Sequence, residues 1–176
     1  LSTYHNRHWD GCILRAVEEV RRKGVIGDVF RVEAHMGGYH KPGDWWRSSR
    51  TVSGGILYDW GVHLLEYTLQ LMRSEIVEVT GFTKSGVWET AWKGDTIEDE
   101  GHILVRYANG AWSTLLMSAL EVAPRDGWLT VTGTAGSYTF EGGTYRQTTA
   151  KKDTLVTESG TNPPSESWRF YQNIAD

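Results

Sequence analysis

Six strand-like runs follow one another at 76–84, 97–107, 111–120, 128–133, 137–141 and 145–149. From residue 97 on, the stretches between them are too short for a crossover helix, so neighbouring runs must pair antiparallel. Asn109-Gly110 sits between two alternating runs and reads as a type I′ hairpin turn, and Gly142-Gly143 reads the same way. Helical patterns come earlier in the chain. Helices first and a long meander after them describe an α+β fold: one large, mainly antiparallel open sheet with helices on one face.

The first helix starts after Asp10, a good N-cap, with Ile13, Val17 and Val20 at helical spacing and Gly24 as its stop. Leu1 to Trp9 reads as an edge strand. From Asp28 to Met36 the period changes to two, with Phe30, Val32, Ala34 and Met36 on one face. Residues 37–53 have no steady period, and so long a connection is usually functional or disordered. A second helix is expected from near Ser53 to about Met72, with Gly54 and Gly55 in its first turn. After Ala150 the chain turns polar, a surface excursion, before Ser167-Trp168-Arg169-Phe170-Tyr171 opens a last helix. One side of the sheet is left for solvent or a partner. Trp112, Thr114, Leu116, Trp128, Thr130, Thr132, Tyr145 and Gln147 share a parity, which suits either an interface or the core side.

Composition narrows the function classes. A net charge of −4 argues against a life on phosphate backbones. No run is long and apolar enough to span a bilayer. The single cysteine, Cys12, excludes an internal disulfide and fits a soluble, cytoplasmic setting. Nine tryptophans are too many to ignore, and tryptophan serves cores, sugar-stacking sites and interfaces alike. A chain that begins at Leu1 and stops at Asp176, inside a newly started helix, is expected to be a piece of a larger protein.

The second helix carries the chemistry. Its strongly polar residues from Ile56 to Met72 are Asp59, His63, Glu66 and Gln70, which at about 100° per residue fall within roughly 60° of arc. The rest, Tyr58 and Trp60 included, reads as packed. Such a narrow stripe faces either water or a polar pocket. Asp59 and His63 are one helical turn apart, and a carboxylate beside an imidazole favours the protonated ring and suits proton transfer near neutral pH. With His35 or His40 the same pair would make a metal site, but the spacing is unspecific and no metal is expected. Gly54-Gly55 leaves amide donors exposed, a weak phosphate signal and a candidate cofactor contact. No dinucleotide fingerprint occurs in the chain. His5, His102 and Cys12 read as structural.

Ser-Gly-Gly-Ile-Leu-Tyr-Asp-Trp-Gly-Val-His at 53–63 resembles the GGG-x-x-x-D-x-G-x-H signature in the C-terminal domain of the Gfo/Idh/MocA oxidoreductases. His5-Asn6-Arg7-His8-Trp9-Asp10 is similar to the family's N-R-R-y-d strand. Lys23-Gly24-Val25-Ile26-Gly27-Asp28-Val29 is similar to its g-x-i-G-x-v joint, and Asp44-Trp45-Trp46-Arg47 to its W-R loop. The likeness covers residues 1 to about 140. Ser53, His8 and Glu66 depart from the pattern and bear on the substrate more than on membership.

The resemblance implies a glyceraldehyde-3-phosphate-dehydrogenase-C-terminal-like domain, residues 1–176, for substrate binding and dimerisation in a two-domain enzyme. NAD or NADP would sit mainly on a Rossmann domain outside this chain. Asp59 and His63 would be catalytic, His63 taking the hydroxyl proton as hydride leaves a sugar, inositol or related polyol. Arg7, Tyr39, Trp45, Trp46 and Arg47 would line the substrate side. The open sheet face would build a homodimer. The alternative is a carbohydrate- or partner-binding module without redox activity.

Overall fold

The computed structural model describes residues 4–123 and 125–175. Its strands form one eight-stranded, mainly antiparallel open sheet in the order β2-β3-β4-β1-β5-β6-β7-β8. These are β1 Val29–Gly37, β2 Ile76–Lys84, β3 Glu100–Tyr107, β4 Trp112–Ser118, β5 Leu129–Gly133, β6 Gly136–Phe140, β7 Thr144–Lys151 and β8 Thr154–Thr161. The α-helices are α1 Gly11–Ala16, α2 Arg50–Ser53, α3 Val62–Leu71 and α4 Arg169–Ala175. The chain divides into two compact units, Leu1–Val32, Glu66–Arg73, Gly127–Asp176 and Glu33–Leu65, Ser74–Asp126.

In the first unit, Cys12, Ile13, Ala16 and Val20 of the first helical stretch are buried along with Leu129, Val131, Tyr138 and Phe140. This stretch is α-helical to Ala16 and then continues as a π-helix, Val17–Arg22. Asp10 stands at its N-cap position, yet its carboxylate makes no cap bond. It accepts from the Tyr67 hydroxyl instead, and from Arg7 Nη1 at 3.0 Å. Burying an anion is costly unless it is paired, and this triad provides the pairing. Residues 6–9 make a 3₁₀ turn and residues 4–5 no strand where an edge strand was expected from Leu1 to Trp9, and Leu1 to Thr3 of that expectation lie outside the described residues.

The polar stretch after Ala150 is not a plain excursion. β7 and β8 pair from Thr144↔Thr161 to Lys151↔Thr154, turning through Lys152 at φ 54°. Sequence reasoning misses this hairpin because a lysine occupies the left-handed position that usually betrays itself by Gly or Asn. Beyond β8, the carbonyl of Pro163 rests where a side chain on Gly11 would stand, and the Gly11 N–H donates to Ser165 Oγ at 3.1 Å. Only glycine lets that crossing approach the helix so closely.

In the second unit, β2, β3 and β4 form a meander with Gly101↔Met117, Ile103↔Leu115 and Val105↔Ser113 in register. The Asn109–Gly110 turn is wider than type I′, with Tyr107 and Ala111 pairing across it and positive φ at Gly110 alone of the two. Gly54 and Gly55 both have positive φ, 84° and 95°, so they end α2 rather than start a helix. The helix then resumes as a π-turn, Leu57–Gly61, before α3. This corrects the single helix expected from Ser53.

Register also settles the parity question. Ser113, Leu115 and Met117 are buried, so Trp112, Thr114 and Leu116 take the opposite face. Thr130 and Thr132 likewise alternate with buried Leu129 and Val131. Tyr145 and Gln147 pair with buried Phe140 and Tyr138, which puts them on the core side. No helix among the described residues is long and apolar enough to cross a membrane.

Two outcomes are expected. Burial pushes the Cys12 thiol up to about 11, so at pH 8 a thiol reagent should label the native chain only as fast as it unfolds. Tyr67→Phe should cost about 1–3 kcal/mol in urea unfolding, because a buried carboxylate loses a donor.

Candidate functional site

The second unit holds a cavity of about 630 Å³, within the range of small-molecule sites. Its apolar lining comes from Trp45, Trp60, Ile56, Ile97 and Met117 among others, and its ionisable lining from His40, Asp44, Arg47, Asp59 and Glu98. Two loops shape one wall. The Trp-rich loop is tied to residues 84–99: Asp44 Oδ1 accepts the Ala91 N–H at 2.7 Å, and Trp92 Nε1 donates to the Trp45 carbonyl at 2.9 Å. Asp95 accepts from Ser49 Oγ and from the Thr51 N–H at 3.0 Å, and these donors hold its carboxyl below the usual range. The long loop is therefore ordered by specific hydrogen bonds.

Arg47 is the best-placed cation. Its guanidinium lies 4.8 Å from the Trp45 ring centre and 4.3 Å from that of Trp46, and its Nε is 3.5 Å from Asp59 Oδ1. Stacking on two indole faces fixes the fork, and the carboxylate offsets its charge.

Asp59 belongs to the π-turn, where each turn takes an extra residue. The expectation of one regular polar stripe fails at this point. Asp59 meets Arg47, whereas Glu66 pairs with His8 in the first unit, and Gln70 Nε2 there donates to Glu66 at 3.2 Å. π-turns are frequent at functional sites, for they re-aim a side chain that a regular helix would place elsewhere. His63, half-buried, follows on α3 with its ring edge-on to Trp60 at 5.7 Å, and it is not among the cavity's lining residues. The helix is not apolar and buried all round either: Tyr58 is 74% exposed, and Val62 and Leu69 are exposed too.

The remaining expected site residues scatter. Trp45 and Arg47 line the cavity, and Trp46 backs Arg47 while half exposed. Tyr39 is 60% exposed, bridges to Leu120 and packs edge-on to Trp88 outside the lining. Arg7 lies in the first unit, in the Asp10–Tyr67 triad. Gly54 and Gly55 do not offer a phosphate cradle. The Gly54 N–H is taken by the Arg50 carbonyl, that of Gly55 by Ser53 Oγ, and that of Ile56 by Glu98 Oε2 at 3.1 Å. A carboxylate occupies the place where a pyrophosphate would need bare amides, so these residues do not fit the dinucleotide's phosphates.

Glu98 was invisible to sequence reasoning, since it follows Ile97 in an apparent strand. Asp44 offered no signal beyond its place beside the tryptophans.

Comparison with known proteins bears on the family and the fold. A family model described as the GFO/IDH/MocA C-terminal domain matches residues 14–139. Over 72 residues the chain is 35% identical to the uncharacterized oxidoreductase YdgJ of Escherichia coli (strain K12) and 32% identical to IolW, a scyllo-inositol 2-dehydrogenase (NADP(+)) of Bacillus subtilis (strain 168). Each alignment takes in 40% of this chain and 20% of the relative. Levoglucosan dehydrogenase, solved in complex with NADH and levoglucosan, shares the fold with a TM-score of 0.79 at 16% identity, over 97% of this chain and 56% of that one. The chain thus spans about half of that solved enzyme, and a smaller share of the curated relatives is matched.

Gly55→Ala should destabilise the chain by about 1–3 kcal/mol in urea unfolding, because the new methyl meets the Glu98 carboxylate at a backbone angle that side chains avoid. In a double-mutant cycle with Glu98→Ala the two costs should fall short of additive.

Proposed function

The chain belongs to the GFO/IDH/MocA family as its C-terminal domain, and from that premise we propose that it is the substrate-binding half of an NAD(P)-dependent oxidoreductase acting on a sugar, inositol or related polyol. The observation that carries this reading is Asp59, set in the wall of a tryptophan-lined cavity and matched by Arg47. Indole faces suit the C–H faces of a sugar ring, and carboxylates accept its hydroxyl protons. The IolW and levoglucosan dehydrogenase relatives, named for a polyol and a sugar, support the substrate class.

In this reading NAD(P) supplies or accepts the hydride and is held outside this chain. This chain's residues orient the substrate and handle its proton. Asp59, fixed by Arg47, accepts a substrate hydroxyl, and His63, one turn on, takes the proton from the oxidised carbon's hydroxyl. The sheet face bearing Trp112, Leu116 and the 74%-exposed Phe82 is proposed to build a homodimer. The lone buried cysteine suits a cytoplasmic setting.

A binding module without redox chemistry is the second reading, favoured by the absence of His63 from the cavity lining. In the whole enzyme, Asp59→Asn and His63→Ala should each lower kcat by about 10²–10⁴-fold with an unchanged circular dichroism spectrum. Near-normal turnover in both would overturn the assignment of the proton-handling pair. No turnover of any polyol in the unmodified enzyme, with sugar binding retained, would favour the binding module.

A further inference from the structure

The ionisable lining of the cavity is lopsided. Asp44, Asp59 and Glu98 face one guanidinium, that of Arg47, and one imidazole, that of His40. Arg47 is already engaged, stacked on Trp45 and Trp46 and 3.5 Å from Asp59. It is not positioned as a spare cation for an incoming anion.

The carboxylates, in contrast, keep acceptor capacity. One oxygen of Glu98 takes the Ile56 N–H and one of Asp44 takes the Ala91 N–H. Each carboxylate has about four lone-pair sites, so each can still accept from a ligand. Loop contacts hold both in place, and reorienting them to spare an anion would break those backbone hydrogen bonds.

Resting on the reading above, we propose that this cavity selects an uncharged polyhydroxylated ligand and turns away the phosphorylated or carboxylated form of the same sugar. The lining hydroxyls of Ser48 and Ser118 already donate to the Gly43 carbonyl and to Glu100. A neutral polyol therefore brings the hydroxyl donors that the carboxylates can still accept, and lays its C–H face against Trp45, Trp60, Ile56 or Met117. A phosphate or carboxylate brings only further acceptors and a like charge into a partly apolar space, where such juxtapositions are poorly screened. Selectivity comes from repulsion as much as attraction.

The test is equilibrium binding to the 176-residue chain, read by tryptophan fluorescence and by ligand-detected NMR. The neutral probes are scyllo-inositol and glucose, and the anionic ones are glucose 6-phosphate and glucuronate. At low ionic strength the neutral probes should bind at least about tenfold more tightly than their anionic counterparts. Glu98→Gln and Asp44→Asn should each narrow that ratio, as should added salt. Should Glu98→Gln disturb the fold, Asp44→Asn and the salt series still report. Equal or tighter binding of the anions would overturn charge selection while leaving a sugar site standing. An unchanged ratio in both variants and in salt would remove these carboxylates as its cause. Failure of all four probes to bind the unmodified chain would overturn the sugar-site reading and this inference together.

Discussion

The Glu98 carboxylate is wedged against the backbone at Gly55 and Ile56, and the arrangement of the candidate site depends on that contact. It caps a freed amide N–H at the point where the helix resumes, and it demands a residue without a side chain at 55. Two successive glycines with positive φ break what would otherwise be one continuous helix, and the chain restarts in a π-turn. Asp59 sits in the middle of that turn. Its direction toward Arg47 is therefore a consequence of backbone events four residues earlier.

The loops around the cavity show how polar groups can order a segment that has no hydrophobic period. Asp44, Asp95 and the Trp92 indole each bind across from one loop to the other, and Ser49 and Thr96 form an isolated bridge. Each bond is worth little on its own, yet together they hold two exposed tryptophans and an arginine in a fixed stack. Rigid aromatic and guanidinium planes would suit the polyhydroxylated ligand proposed above, whose own binding energy is modest. In the first unit the Arg7–Asp10–Tyr67 triad, with Asp10 and Tyr67 buried and Arg7 half-buried, anchors the start of α1 in the same way.

Much of the fold was legible from short-range pattern alone. Alternation and turn chemistry placed β2 to β7 within a few residues, and the D-x-G-x-H segment pointed to the family. The period of Ile13, Val17 and Val20 placed the first helical stretch, which is α-helical only to Ala16. These succeed because side-chain period follows directly from backbone geometry. Asp59, Trp45 and Arg47 were expected at a site from their chemical type and the motifs around them, and all three line one cavity.

The remainder was decided in three dimensions. The β7–β8 hairpin turns on Lys152, the opposite faces of Thr130 and Tyr145 follow from strand register, and neither leaves a mark in local sequence. Asp59 and Glu66 look alike along a regular helix, but a π-turn and the partners Arg47 and His8 give them different neighbours. Arg7 and Arg47 are the same residue type in similar company, and only tertiary pairing makes one an anchor for Asp10 and the other part of a cavity wall. Sequence determines which elements form, since propensity and period act over a few residues. Which polar side chain meets which is set by long-range packing, because a buried charge must find its counter-group wherever the fold brings one within reach.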